Sequence, residues 1–177
     1  MEIIKASQHQ PDQSSGYLFD TNVWLFIYGP IAGSNQRKQR VYSKLLDCIL
    51  QRKATIFITS LILSEYINCV LRMGFTQWKK STSTYSADYK RDFRSTVDYK
   101  ETLEDAIAQI EDILKITQRR PDDFNAIDVQ SVLNAMGQTS DYNDSYLIKC
   151  CEKSHIKLVS DDRDIAMVQS PITLIQE

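Results

Sequence analysis

The sequence predicts an α/β fold, a three-layer α/β/α sandwich around a mainly parallel central sheet. Short β-rich apolar runs alternate along the chain with longer stretches whose apolar residues recur at helical spacing. Strands separated by helices are joined by crossovers, and such connections build a parallel sheet covered on both faces. At 177 residues, 42% hydrophobic and 25% charged, the chain is long and apolar enough for about one such domain with an insertion.

The elements follow in order. Residues 1–16 have only Ile3 and Ile4 as an apolar pair and are expected to be a flexible tail ahead of a domain over 17–177. No apolar stretch is long enough for a signal peptide or a membrane span. Tyr17, Leu18 and Phe19 read as a short buried strand. Tyr42, Leu45, Leu46 and Ile49 stand at helical spacing within 35–52, interleaved with Arg37, Lys38, Arg40 and Lys44, whose bland reading is a solvated face. ATIFIT (54–59) is β-branched and predicts a second strand. A helix over 60–73 is expected, with Ser60 as its N-cap and Gly74 as its stop. Residues 74–100 break the alternation and are expected to form an insertion. Leu103, Ala106, Ile107, Ile110, Ile113 and Leu114 predict an amphipathic helix, and Pro121 a further one over about 122–136. DSYLIKCCEK (144–153) is helical, and IKLVS (156–160) and ITLI (172–175) are the last strands.

Charge and cysteine usage exclude some functions. The net charge of −2 gives no global attraction for nucleic acid, so any such partner meets a local patch. Cys48, Cys69, Cys150 and Cys151 lack metal-site spacing, and with two His the chain is a poor zinc binder. Thiols kept reduced in a cytoplasm are the expected state.

The acids carry the chemistry. In an open parallel sheet, sites form at the carboxyl ends of strands. Asp20 stands at that end of the first strand, and Asp161 and Asp162 at that end of IKLVS. Taken alone, Asp20 reads as a helix cap and SDDRD as a polar turn. Asp144 leads the apolar stripe of its helix, beside Leu147, Ile148 and Cys151, with Asp141 bordering that face as an N-cap. Glu65 has Leu61, Ile62, Asn68 and Cys69 as helical neighbours and no base three or four residues away. A core-facing carboxylate without a partner is costly. Asp20, Glu65, Asp144 and Asp162 therefore read as one constellation of hard oxygen ligands, suited to Mg²⁺ or Mn²⁺ and to phosphodiester displacement by water.

Four stretches carry a resemblance: FDTN (19–22), TSLILSEYIN (59–68), NDSYLIKCC (143–151) and KLVSDDRDI (157–165). In that order they resemble the motifs of the PIN-domain family, metal-dependent nucleases that include the toxins of virulence-associated toxin–antitoxin pairs. The resemblance implies a PIN-like fold, endoribonuclease activity with Mg²⁺ or Mn²⁺, and Asp20, Glu65, Asp144 and Asp162 as catalytic, metal-holding acids. It implies Asp164 as an auxiliary acid, Ser160 as a positioning hydroxyl and Asn22 as a holder of the first turn. It implies an RNA substrate, and it admits an antitoxin protein and a homodimer as partners. Asp161 stands where relatives have a basic or neutral residue, so the fourth acid is Asp161 or Asp162. A non-catalytic PIN-like module binding RNA or protein stays open. So does a haloacid-dehalogenase-like phosphohydrolase, although that family wants an Asp where Asn22 stands.

Within 74–100, Lys79, Lys80, Lys90, Arg91 and Arg94 alternate with Trp78, Tyr85, Tyr89, Phe93 and Tyr99. Tyr85, Tyr89 and Phe93 share a helical stripe. The stripe either packs on the body, or stacks bases while the cations meet phosphates, or docks a partner protein.

Overall fold

The computed structural model describes residues 1–136 and 141–177. Its centre is a six-stranded, all-parallel sheet in the order β1-β6-β5-β2-β3-β4. The strands are β1 (Glu2–Lys5), β2 (Gly16–Phe19), β3 (Thr55–Ile58), β4 (Gln118–Arg119), β5 (Lys157–Val159) and β6 (Thr173–Gln176). The helices are α1 (Thr21–Ile27), α2 (Gln36–Gln51), α3 (Ser60–Ser81), α4 (Val97–Ile116), α5 (Val129–Ala135), α6 (Tyr142–Ser154) and α7 (Arg163–Met167).

Tyr17, Leu18 and Phe19 of β2 are fully buried, as are Leu158 and Val159 beside them on β5. Strands covered on both faces lose the alternation of a half-exposed strand and become apolar throughout. From β2 the chain steps outward to β3 and β4, then returns to β5 and steps the other way to β6. Right-handed crossovers in opposite directions put helices on opposite faces. Accordingly α2, α1, α3 and α4 contact one another in that order, and α5, α6 and α7 form a second series. The order reverses between β2 and β5, the crevice where parallel sheets place their sites.

The N-terminal residues differ from the expected flexible tail. Glu2–Lys5 forms edge strand β1, registered on Thr173–Gln176, and Ala6 is buried. One apolar pair is a weak strand signal, and pairing with the far end of the chain is what makes it a strand.

Gly74 does not stop α3, which continues to Ser81. A Cβ on Gly74 would come within 2.6 Å of Thr102 on α4, so this glycine serves the close crossing of two long helices. The cap also lies one residue earlier than expected: the Thr59 hydroxyl accepts from the Ile62 N–H, while the Ser60 hydroxyl bonds Asp122. Nor does a helix begin at Pro121. Asp123 is left-handed (φ 55°), a 3₁₀ turn spans Phe124–Ala126, and α5 starts at Val129 with Asp128 as its cap.

The segment 74–100 is an arm made of the end of α3, a π-helical turn (Tyr89–Phe93) and the start of α4. Phe93 is fully buried and touches Phe75, Trp78, Tyr89 and Tyr99 with ring centroids 5.4–5.8 Å apart. Packing thus accounts for Tyr89 and Phe93. Tyr85, 71% exposed, lies outside the turn and breaks the supposed stripe.

Candidate active site

Asp20 directly follows β2 and caps α1, accepting the Thr21 N–H at 2.7 Å. Capping and participation in an acid cluster are therefore one geometry. The other carboxylate oxygen accepts from the Asn22 amide at 2.6 Å and the Ser160 hydroxyl at 2.7 Å. Asn22 Oδ1 in turn accepts the Asp161 N–H at 3.0 Å, and the Ser160 hydroxyl accepts the Asp162 N–H at 3.0 Å. Asp20, Asn22 and Ser160 thus knit the carboxyl ends of β2 and β5 together. The phosphohydrolase alternative wants an acid at position 22, whereas the amide here donates to one motif and accepts from another.

Glu65 on α3 is half-buried and accepts from the Thr21 hydroxyl at 3.1 Å. Thr21 is a positioning group that sequence reasoning passed over, because a small polar residue after an acid reads as turn chemistry. Asp144 sits in the first turn of α6 in a capping box: its N–H donates to Asp141, and its carboxylate accepts the Asp141 N–H.

Asp161 and Asp162 part company. Asp161 bonds Lys38 and accepts from the Tyr42 hydroxyl at 2.8 Å, so it is tied to α2. Asp162 caps α7 by accepting the Asp164 N–H, and its charge is close enough to Asp144 to raise that carboxyl. Both acids lie in the turn between β5 and α7, where Asp162 serves as the helix cap and Asp161 is drawn to α2. Asp164 is exposed and enters the network through its backbone N–H.

The charges are uncompensated. Among the described residues, no Lys or Arg ion pair involves Asp20, Glu65, Asp144 or Asp162. Burial, with added repulsion from Glu65 and Asp144, pushes the Asp20 carboxyl up to about 7 despite its bond from Ser160. Burial, then the charges of Asp141, Asp162 and Glu65, push Asp144 up to about 6. Glu65 is also raised, first by burial, then by Asp141. Among the described residues, no three His, Cys, Asp or Glu stand close enough to hold one ion directly. A small hard cation such as Mg²⁺ keeps several waters and takes only one or two carboxylates directly. The donor set fits such an ion.

Of the expected nucleic-acid-binding cations, Lys79 lies over the Phe75 ring at 4.5 Å, Arg94 over Tyr99 at 5.8 Å, and Arg91 pairs with Asp92. Lys80 and Lys90 are exposed.

The sequence model of the family described as PIN domain matches residues 17–170, so the chain belongs to the PIN-domain family. No curated protein matches the sequence. Among solved structures, the chain is similar to one in the crystal structure of VapBC2 from Rickettsia felis bound to a DNA fragment from their promoter. The TM-score is 0.54 at 12% identity, over 89% of this chain and 96% of that one. It is also similar to PAE2754 from Pyrobaculum aerophilum, with TM-score 0.48 and 17% identity over 94% and 88% of the two chains.

Proposed function

We propose that this PIN-domain chain is a divalent-metal-dependent endoribonuclease of the cytoplasm. The observation that supports it best is the gathering of Asp20, Glu65, Asp144 and Asp162, with no neutralising base among the described residues, at the point where strand order reverses. Asp20, Glu65, Asp144 and Asp162 would hold Mg²⁺ or Mn²⁺, which when bound supplies water activation and charge stabilisation for phosphodiester hydrolysis. The chain's own groups prepare that site. Asn22 and Ser160 fix Asp20 in one orientation, the Thr21 hydroxyl fixes Glu65, and the Asp141 N–H fixes Asp144. Fixed orientation removes reorganisation when a phosphate arrives. A non-catalytic binding module needs no such preparation of unpaired acids.

Purified protein with single-stranded RNA and Mg²⁺ or Mn²⁺ tests the reading, with EDTA as control. Cleavage that requires metal and disappears in Asp20→Asn and Asp144→Asn, with circular dichroism unchanged, is the expected result. Near wild-type rates in either folded variant would overturn the assignment. A toxin role with an antitoxin partner is the finer assignment. A small upstream reading frame encoding a DNA-binding N-terminus would support it.

A further inference from the structure

Glu65 is followed along α3 by Cys69, Arg72, Thr76 and Lys80, at steps of four, three, four and four residues. Those steps keep all five on one helical face. This face borders an open groove of about 440 Å³ whose other wall is Pro30 and Ile31, beyond α1. At its inner end, the charges of Glu65, Arg72 and Asp20 all act on the Cys69 thiol, so Cys69 bridges the acid cluster and the groove. Further out, Arg72 also acts on the Tyr89 phenol of the arm. Arg72 and Lys80 are exposed, and neither belongs to an ion pair among the described residues. At 1.5 Å of rise per residue, Arg72 lies about 10 Å from Glu65 along the axis and Lys80 about 12 Å beyond.

We propose that this groove is the track for the single-stranded RNA on one side of the bond to be cut, with Arg72 and Lys80 meeting its phosphates and the Pro30–Ile31 wall meeting its bases. The assignment rests on the nuclease reading of the acid cluster. Charge complementarity selects the occupant. Four unpaired carboxylates repel a polyanion, so a strand reaching them needs cations arranged in line with them. This chain carries a net charge of −2 and has no global field to supply that attraction. Among the described residues Arg72 and Lys80 are unpaired cations on the face that leads to Glu65, and the opposite wall of Pro30 and Ile31 offers bases an apolar contact that does not depend on sequence.

The test is fluorescence anisotropy of a labelled single-stranded oligoribonucleotide of mixed sequence, in EDTA so that nothing is cut. Wild type is compared with Arg72→Ala/Lys80→Ala and with Lys5→Ala/Arg52→Ala, a charge-matched control away from the groove. Melting curves establish that each variant folds. Two lost phosphate contacts should flatten the slope of log affinity against log salt by roughly 1.4 in the groove variant, since single strands lose about 0.7 per contact. The control should keep the wild-type slope. In cleavage assays the groove variant should raise KM with kcat retained. A folded groove variant with wild-type slope and affinity overturns the proposal and leaves the groove to a protein partner. An equal loss in the control overturns it too, by making the attraction non-local. Binding through Arg72 and Lys80 by a protein that cuts no RNA would keep the track and sink the nuclease reading instead.

Discussion

Replacing Asp20 by Asn should destroy activity and yet stabilise the metal-free protein above neutral pH. Asp20 is 6% exposed and, among the described residues, accepts three hydrogen bonds and pairs with no cation. Its carboxyl rises from 3.8 to about 7, with burial the leading cause. At 1.36 kcal/mol per pKa unit, keeping it ionised costs roughly 4 kcal/mol. The unfolded chain releases this proton near 3.8 and the folded chain near 7, so between those values the folded state binds more protons. The stabilisation is fully present below the lower value and is lost as pH rises through the upper one. Asparagine avoids the charge but turns an amide donor toward the Asn22 amide, a mismatch of about 1–3 kcal/mol. The net gain in EDTA at pH 8 is therefore about 1–3 kcal/mol, or roughly 2–12 °C in Tm for a domain of this size. At pH 5 the folded wild type is protonated at Asp20, and the variant should melt at or below it. Paired thermal melts at the two pH values decide the matter. A variant less stable at pH 8, or a gap equal at both pH values, would refute the buried, uncompensated Asp20.

Asp161→Asn should lower stability by about 1–3 kcal/mol through its charged bonds to Lys38 and Tyr42 while leaving most activity; Asp162→Asn should do the reverse, and kinetics with melts on both variants would expose a misassigned acid. Mn²⁺ at a hundred times its Kd should add about 2.7 kcal/mol to wild-type stability, and less to Asp144→Asn, in titrated melts. An insensitive wild type would remove the metal from the site. Gly74→Ala, which ordinarily gains about 1 kcal/mol inside a helix, should instead destabilise, because its Cβ meets Thr102 at 2.6 Å. Denaturant curves should show Thr102→Ala restoring much of the loss. Without that rescue, the helix-crossing account of Gly74 fails.

The sequence by itself determined what local chemistry can encode. Apolar runs such as YLF and KLV marked strands buried on both faces, and the spacing of Tyr42, Leu45, Leu46 and Ile49 marked α2. The order of the acid-bearing stretches was legible because Asp20 and Asp162 follow strands and Asp144 opens a helix, where backbone rules confine them, while Glu65 lies within a helix whose apolar spacing could be read. Tertiary structure decided what depends on a distant partner. Ile3–Ile4 is a strand because Leu174 and Ile175 lie beside it, 171 positions along the chain. Gly74 reads locally as a stop but sits against Thr102, and the Thr21 hydroxyl acquires a role only when Glu65 arrives from α3. The different partners of Asp161 and Asp162 belong here as well. Neighbouring acids are chemically identical, and only the packing of α2 captures one with Lys38 and Tyr42 and turns the other toward Asp144. The raised carboxyls have the same origin: an aspartate has no unusual pKa in its sequence, and acquires one when the fold takes away its water and sets other carboxylates beside it.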